Sequence, residues 1–378
     1  MKKRKKVYCE WGFLKKFIEN RPVFESPEDI PIIETWGKMF SFLSKADIII
    51  NITKKEFGQI CEGNLWMKNL WKKSTQGENG LDFQDAGFVK ITDIAPAKID
   101  DNLLNAVFLS DTDENTCIQK SRDYGIIALN TCIAKSCQHL YNENGVSFSK
   151  RETINWGFLD DLNKSFPQLK NCNSMIIADR YLFKNANDSF TYKDKIEHNL
   201  LPILNYILPD YLAEGVEFDL TIISGELYES YKECYEYICN KIMQMRPNLK
   251  CRIAFYNDAF KFHDRSIATN NVWLDCPHGF DVFNDNEVLK NSTKVIVAFP
   301  LIQSNLNSID PTFLTFLNDV KERLSNKRDG QYSWGDRNTT NRIITYYTKR
   351  DPIDFAGLKP GDKIDLSQFS PSKRSLKR

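Results

Sequence analysis

The sequence lacks an excess of either charge. Lys+Arg is 51 against 50 Asp+Glu, for a formal net charge of +1. That balance excludes nucleic-acid binding through overall charge; any such binding needs a local basic patch. Long apolar runs are missing too. No window approaches 18 apolar residues, so no membrane span is expected. There is no CxxC pair. The ten cysteines, at 9, 61, 117, 132, 137, 172, 234, 239, 251 and 276, are scattered through segments that read as strands and helices. Reduced thiols in a cytoplasmic compartment are therefore expected, not a disulfide framework. The basic start MKKRKK is followed by VYCEWGFLKKF, which carries Glu10 and two lysines and no cleavage site, so a secretory signal is not expected. No Walker A string and no strand-linked GxGxxG occur, which argues against nucleotide-fuelled chemistry. Cys132, Cys137 and His139 lack a fourth ligand at zinc spacing. Ser224-Gly225-Glu226 lacks a nucleophile-elbow pattern. Internal repeats and low-complexity tracts are absent.

Aromatic residues are plentiful: 25 Phe, 15 Tyr and 7 Trp within a chain that is 42% hydrophobic. Such a chain folds rather than remaining a solvated tail. At 378 residues it has room for two domains. In residues 1–145, strand signals at 6–9, 46–52, 105–109 and 125–129 alternate with helix signals from Trp11, over 56–73 and over 111–124. Gly125 stands where a left-handed cap is favourable. The Gly/Asn/Asp-rich stretch 74–101 reads as loop with one strand near 87–91. Residues 146–350 repeat the alternation, with strands at 174–178, 218–224, 251–255, 264–269 and 294–299. Helices are expected at 196–212, at 229–245 and around Phe313, Leu317, Val320 and Leu324. Residues 351–378 form a basic tail. The expected fold class is α/β, with a parallel sheet in the first domain and a mixed sheet in the second.

The segment 262–283, FHDRSIATNNVWLDCPHGFDVF, holds two of the four histidines. His263, Arg265 and Asn270 have the spacing H-x-R-x4-N. Phosphodiesterases of the phospholipase D type use H-x-K-x4-D, in which His attacks phosphorus or protonates the leaving oxygen and the cation grips phosphate. Arg265 suits a bidentate phosphate contact. Asn270 replaces the orienting acid. Asp179-Arg180-Tyr181 follows the first strand of this half and supplies a second cation. Together with Ile267, Asn271, Trp273, Gly279, Asp281 and Phe283, this string resembles the phospholipase-D-like domain at the C-terminus of microtubule-interacting-and-trafficking proteins, over roughly residues 150–325. The resemblance implies a non-catalytic, phosphoinositide- or membrane-associating dimer. An active site of the phospholipase D kind needs two His motifs, and one copy per chain would require a homodimer. Structural readings stand beside this one: His263 with Arg265, and Asp264 with Arg180, as buried hydrogen-bonded pairs, and Trp273, Phe280 and Phe283 as core.

In the first half, Glu10 closes the first strand (VYCE). Ser110-Asp111-Thr112-Asp113-Glu114 lies between a later strand and its helix. These features resemble the PIN-type nuclease fold, whose carboxylates gather at the C-terminal edge of a parallel sheet. The resemblance implies that Glu10, Asp111 and Asp113 hold Mg²⁺ or Mn²⁺, which activates water for attack on a phosphodiester. Glu56 or Glu62 would supply a middle acid. The alternative is structural: Asp111 as an N-cap with Glu114 completing a capping box, and Asp113 favouring the helix dipole. Trp66 and Trp71 flank Lys68, Lys72 and Lys73; they either stack bases beside phosphate contacts or belong to a packed helix with snorkelling lysines.

The expected function is a phosphodiester-cleaving nuclease, of a kind suited to bacterial antiviral defence. Glu10, Asp111, Asp113 and His263 are the catalytic candidates, and Arg265, Arg180 and Asn270 the phosphate-binding ones. Expected partners are nucleic acid and a second copy or a partner protein. The alternatives are a non-catalytic binding or sensor subunit, and an enzyme that works through His263 across a dimer.

Overall fold

The structure is a computed structural model. It describes residues 4–77, 79–84, 86–131, 144–148, 170–183, 191–225, 231–257, 265–275, 293–298, 311–325, 333–336 and 340–348. The first sheet contains β1 (Lys6–Cys9), β2 (Asp47–Ile50), β3 (Gly80–Phe83), β4 (Val107–Leu109) and β5 (Ile127–Leu129), with buried apolar runs in β2 and β4 near its centre and in β5 at one edge. All pairings are parallel, in the order β3-β2-β1-β4-β5. The order reverses direction between β1 and β4, which opens a crevice at the carboxyl ends of those two strands.

The second sheet contains β6 (Asn144–Phe148), β7 (Ser174–Ala178), β8 (Phe218–Ser224), β9 (Cys251–Asn257), β10 (Ser266–Thr269), β11 (Trp273–Asp275), β12 (Thr293–Ala298) and β13 (Ser333–Gly335). Its order is β13-β9-β8-β7-β10-β11-β12-β6. β7, β8 and β9 run parallel, and the remaining pairings are antiparallel. The expected α/β architecture, a parallel sheet followed by a mixed one, is what the chain forms.

Six helices belong to the first sheet: α1 (Trp11–Glu19), α2 (Ile30–Leu43), α3 (Lys54–Gly63), α4 (Leu65–Thr75), α5 (Asp101–Leu104) and α6 (Glu114–Tyr124). Further helices among the described residues are α7 (Leu201–Ile207), which continues a helical stretch begun at Tyr192–Lys195 and Ile196–Leu200, α8 (Tyr231–Met245), α9 (Pro311–Ser325) and α10 (Arg342–Thr348). The single helix expected over 56–73 is two. Asn64 takes an extended conformation and its side chain accepts hydrogen bonds from the amides of Trp66 and Met67, which starts α4 afresh. The strand expected near 87–91 lies instead at Gly80–Phe83, where Gly80 leaves room for the Asp47 carboxylate. No helix among the described residues is long and apolar enough to cross a membrane. The described cysteines carry free thiols.

The chain divides into Met1–Thr348 and Lys349–Arg378, and only the first unit contains described residues. The boundary expected at 145/146 falls inside β6 (Asn144–Phe148), the first strand of the second sheet, and the two sheets share their packing. The reason lies in the alternation of side chains along the strands. Phe108, Ala128, Met175, Ile177 and Leu220 face one core with α6, α7 and α8; Val107, Leu109, Ile176, Ala178 and Ala268 face the other with α1, α2, α9 and α10. Each core thus runs across both sheets. Burying a large side chain such as Phe108 or Phe313 contributes about 1.5–3 kcal/mol.

The sheets meet at the amino ends of their parallel strands. Asn173, just before β7, donates to the carbonyls of Leu104, Tyr124 and Gly125, which precede β4 and β5. Arg342 donates to Asp101 Oδ1 at 2.7 Å and to Asn173 and Glu217 carbonyls. Asn341 donates to the carbonyls of Met175 and Asp219. Lys5 Nζ donates to the Tyr347 hydroxyl at 3.0 Å. Gly125 makes this closeness possible: its φ is +59°, and a Cβ there would lie 2.4 Å from the Cys172 carbonyl carbon. With amino ends joined, the carboxyl ends of the two parallel strand sets point to opposite poles.

Candidate active site

At the first pole, β1 ends in Glu10 and β4 ends in Ser110 and Asp111. The strands pair with Cys9 opposite Leu109, so the residues that follow them are neighbours. The Glu10 amide donates to the Leu109 carbonyl at 2.8 Å. The Ser110 hydroxyl donates to Glu10 Oε1 at 2.7 Å, and the Thr112 amide donates to that same hydroxyl. Glu10 is 6% exposed, whereas Asp111 lies in the open. Burial and the neighbouring Asp111 carboxylate push the Glu10 carboxyl above its ordinary value, while the Ser110 hydroxyl pulls it back. Two carboxylates in one crevice repel, and a proton or a cation between them relieves the repulsion.

The next residues shape the crevice. Asn51, after β2, accepts the Trp11 amide at 2.6 Å through Oδ1 and so anchors the start of α1. Gly12 leaves space for Asp111: a Cβ there would sit 1.8 Å from Asp111 Oδ2 and would push the carboxylate away. The Asp111 carboxylate therefore lies against the first turn of α1, where the helix dipole favours negative charge. Asn130, after β5, donates to the Thr112 carbonyl. Ser110, Asn51, Asn130 and Gly12 were not among the expected site residues. Their position one residue or so past a parallel strand was the available signal.

The structure brings Glu10 and Asp111 together and leaves Asp113 out. Asp113, not Asp111, is the N-cap of α6; its carboxylate accepts from the Thr116 amide at 2.9 Å and the Thr116 hydroxyl at 2.6 Å, and both bonds hold its carboxyl below the ordinary value. Neither proposed middle acid has reason to join them. Glu56 is held in a capping box with Thr53, and Glu62 is exposed on α3. Among the described residues no three His, Cys, Asp or Glu side chains cluster as metal ligands. The donors that are present, two carboxylates and a hydroxyl, are hard oxygens. Mg²⁺ and Mn²⁺ suit them, because such ions are commonly held by one or two carboxylates, waters and substrate phosphates.

At the opposite pole, Asp179 and Arg180 follow β7, and Arg265 precedes the antiparallel β10. Asp179 is fully buried and accepts the Tyr181 amide at 2.8 Å. Arg265 Nε stands 4.0 Å from Asp179 Oδ1. The Arg265 and Arg180 guanidiniums lie 4.8 and 5.3 Å from the Tyr181 ring centre. Asn270 does not share this site. It follows β10, at the other end of the strand from Arg265, and is fully buried in the seam between the sheets. It accepts the Asn173 amide and donates to the Gly125 carbonyl at 2.8 Å. The H-x-R-x4-N spacing straddles a strand, which carries its two ends apart. Trp273 is core, packed on Phe313. His263, Asp264, Phe280, Phe283, Cys132, Cys137 and His139 lie outside the described residues.

No known family's sequence profile matches this chain, and no curated protein sequence matches it. One solved structure with some likeness is phosphatidylserine synthase from Haemophilus influenzae Rd KW20, at 11% identity and a TM-score of 0.26. The likeness spans 57% of this chain and 45% of that one, so less than half of the synthase is represented. At that score it carries no weight for fold or chemistry.

Proposed function

We propose that the chain is a phosphodiester-cleaving nuclease whose reacting centre is the Glu10–Asp111 pair, working with Mg²⁺ or Mn²⁺. The observation that carries this reading is the pairing itself: two carboxylates at the carboxyl ends of adjacent parallel strands, at the point where strand order reverses, with the buried one made reluctant to ionise. Glu10 and Asp111 would hold the cation. When bound, that ion supplies charge neutralisation at the phosphate and lowers the pKa of a water. Ser110 fixes the Glu10 carboxylate through Oε1. Asn51 fixes the first amide of α1, and the amino end of that helix attracts the phosphate. Arg180 and Arg265, at the opposite pole, form a separate anion-gripping edge and take no part in the bond cleavage.

A second reading, a binding or sensor subunit, is favoured by Asp113, whose carboxylate is committed to capping α6 and leaves the pair without a third acid. Cleavage assays on single- and double-stranded DNA and RNA, with Mn²⁺, with Mg²⁺ and with EDTA, separate the two. The nuclease reading expects metal-dependent cutting that is lost in Glu10→Gln and Asp111→Asn. Absence of cutting under every condition supports the binding subunit.

A further inference from the structure

α4 reads LWMKNLWKKST and contains three lysines and no acid. Leu65, Lys68, Asn69 and Lys72 recur at the spacing of one helix face, and with Trp66 they line an open concavity of about 420 Å³. Leu65 is 77% exposed at its rim. Lys68 and Lys72 are exposed, and neither forms a salt bridge among the described residues. Both tryptophans of the helix are partly buried against the same core. Trp71 stacks on Phe57 and packs against Phe83, so its ring is used by the core. Trp66 meets Trp36 and Phe40 edge to face, and the Arg21 guanidinium lies 5.0 Å from its ring centre. A helix face that carries lysines and no acid attracts a polyanion.

We infer that this face of α4 binds single-stranded nucleic acid: Lys68, Lys72 and Arg21 meet phosphates, and unpaired bases pack against Trp66 and Leu65. Charge selects a polyanion. The apolar groups set between the lysines select unpaired bases over a duplex, whose bases are turned inward. The inference deepens the nuclease reading, because it says how the substrate strand is held on the helical layer of the sheet that carries Glu10 and Asp111.

The test is fluorescence anisotropy of a labelled oligothymidylate of about 20 residues. It is run on the full chain in EDTA, where no metal-dependent cutting occurs, between about 50 and 200 mM salt. The expected result is salt-dependent binding. Lys68→Ala/Lys72→Ala weakens it at least about tenfold and flattens the log K against log salt slope by about 1.4, two phosphates at about 0.7 each. Lys68→Arg/Lys72→Arg keeps both affinity and slope, which separates charge from fold. An unchanged slope in the alanine variant overturns the inference. So does equal affinity for a duplex of the same length, or equal competition by polyglutamate. Binding without cutting in the metal assay keeps this inference and removes the nuclease; cutting without an α4-dependent slope does the reverse.

Discussion

Among the described residues, the carboxyl ends of the two parallel strand sets carry opposite charge. The first presents acids, Glu10 and Asp111; the second presents Arg180 and Arg265 over Tyr181, with one buried acid, Asp179. The same topological position therefore hosts a cation-attracting edge in one sheet and an anion-attracting edge in the other. The joined amino ends hold these edges apart. Chemistry read from one half of the sequence thus belongs to one pole, and the halves are coupled through stability, not through a shared site.

The seam is where that arrangement breaks most readily. Arg342 is almost fully buried, bonded to Asp101 and to the carbonyls of Asn173 and Glu217. Arg342→Met removes a donor from the Asn173 and Glu217 carbonyls, while the half-exposed Asp101 carboxylate returns to water, and is expected to cost about 1–3 kcal/mol in denaturant unfolding. Because both cores cross the seam, residues 1–348 are expected to unfold in one transition. Two separated transitions in the wild type would contradict a single compact unit. Asn270→Ala in the same seam is expected to cost about 1–3 kcal/mol. It should leave phosphate-bearing ligands binding as before, whereas Arg265→Ala should weaken them and also cost stability, because it removes a cation beside the fully buried Asp179 carboxylate.

Lys5 sharpens the comparison through pH. Burial lowers its ammonium from 10.5 to about 7 in the fold. Between pH 7 and about 10 the unfolded chain therefore binds more protons than the folded one, and stability rises with pH by at most about 1.4 kcal/mol per unit. Lys5→Met removes that slope. Thermal unfolding at pH 7, 8 and 9 measures it, and a slope that persists in the variant rules Lys5 out as its source.

Smaller effects distinguish the acids of the first edge. Asp113→Ala loses an N-cap and is expected to cost about 1 kcal/mol. Glu10→Gln should instead stabilise. The Glu10 carboxyl is raised in the fold, so its contribution is favourable at low pH and turns unfavourable as pH rises through the raised value. The gain from Glu10→Gln therefore grows from pH 4 to pH 7, to a Tm rise of about 2 °C. A fall in Tm at pH 7 would mean that the carboxylate is stabilised, against the reading of a repelling pair.

The buried strands β2, β4, β5, β7, β8 and β9 were legible because parallel strands read as continuous apolar runs. Glu10 and Asp111 were legible as acids directly past such runs. Other features depend on groups brought near from a distance. α10 is RIITYYT, whose β-branched and aromatic residues favour a strand, and only docking in the seam makes it a helix. α2 carries Pro31 in its first turn and Gly37 within, which masks its periodicity. Asp113 looked like a ligand because cap and ligand share one residue type. Asn270 looked like a phosphate contact because a spacing of residues does not say which end of a strand each one occupies.

The most direct measurement is the single-turnover cutting rate of Asp111→Asn against Asp113→Asn, on one substrate at saturating Mn²⁺. The pair geometry predicts that Asp111→Asn loses at least about 100-fold. Asp113→Asn, whose side chain still caps α6, stays within about threefold of wild type. Equal losses, or a larger loss in Asp113→Asn, would contradict a reacting centre built on Glu10 and Asp111.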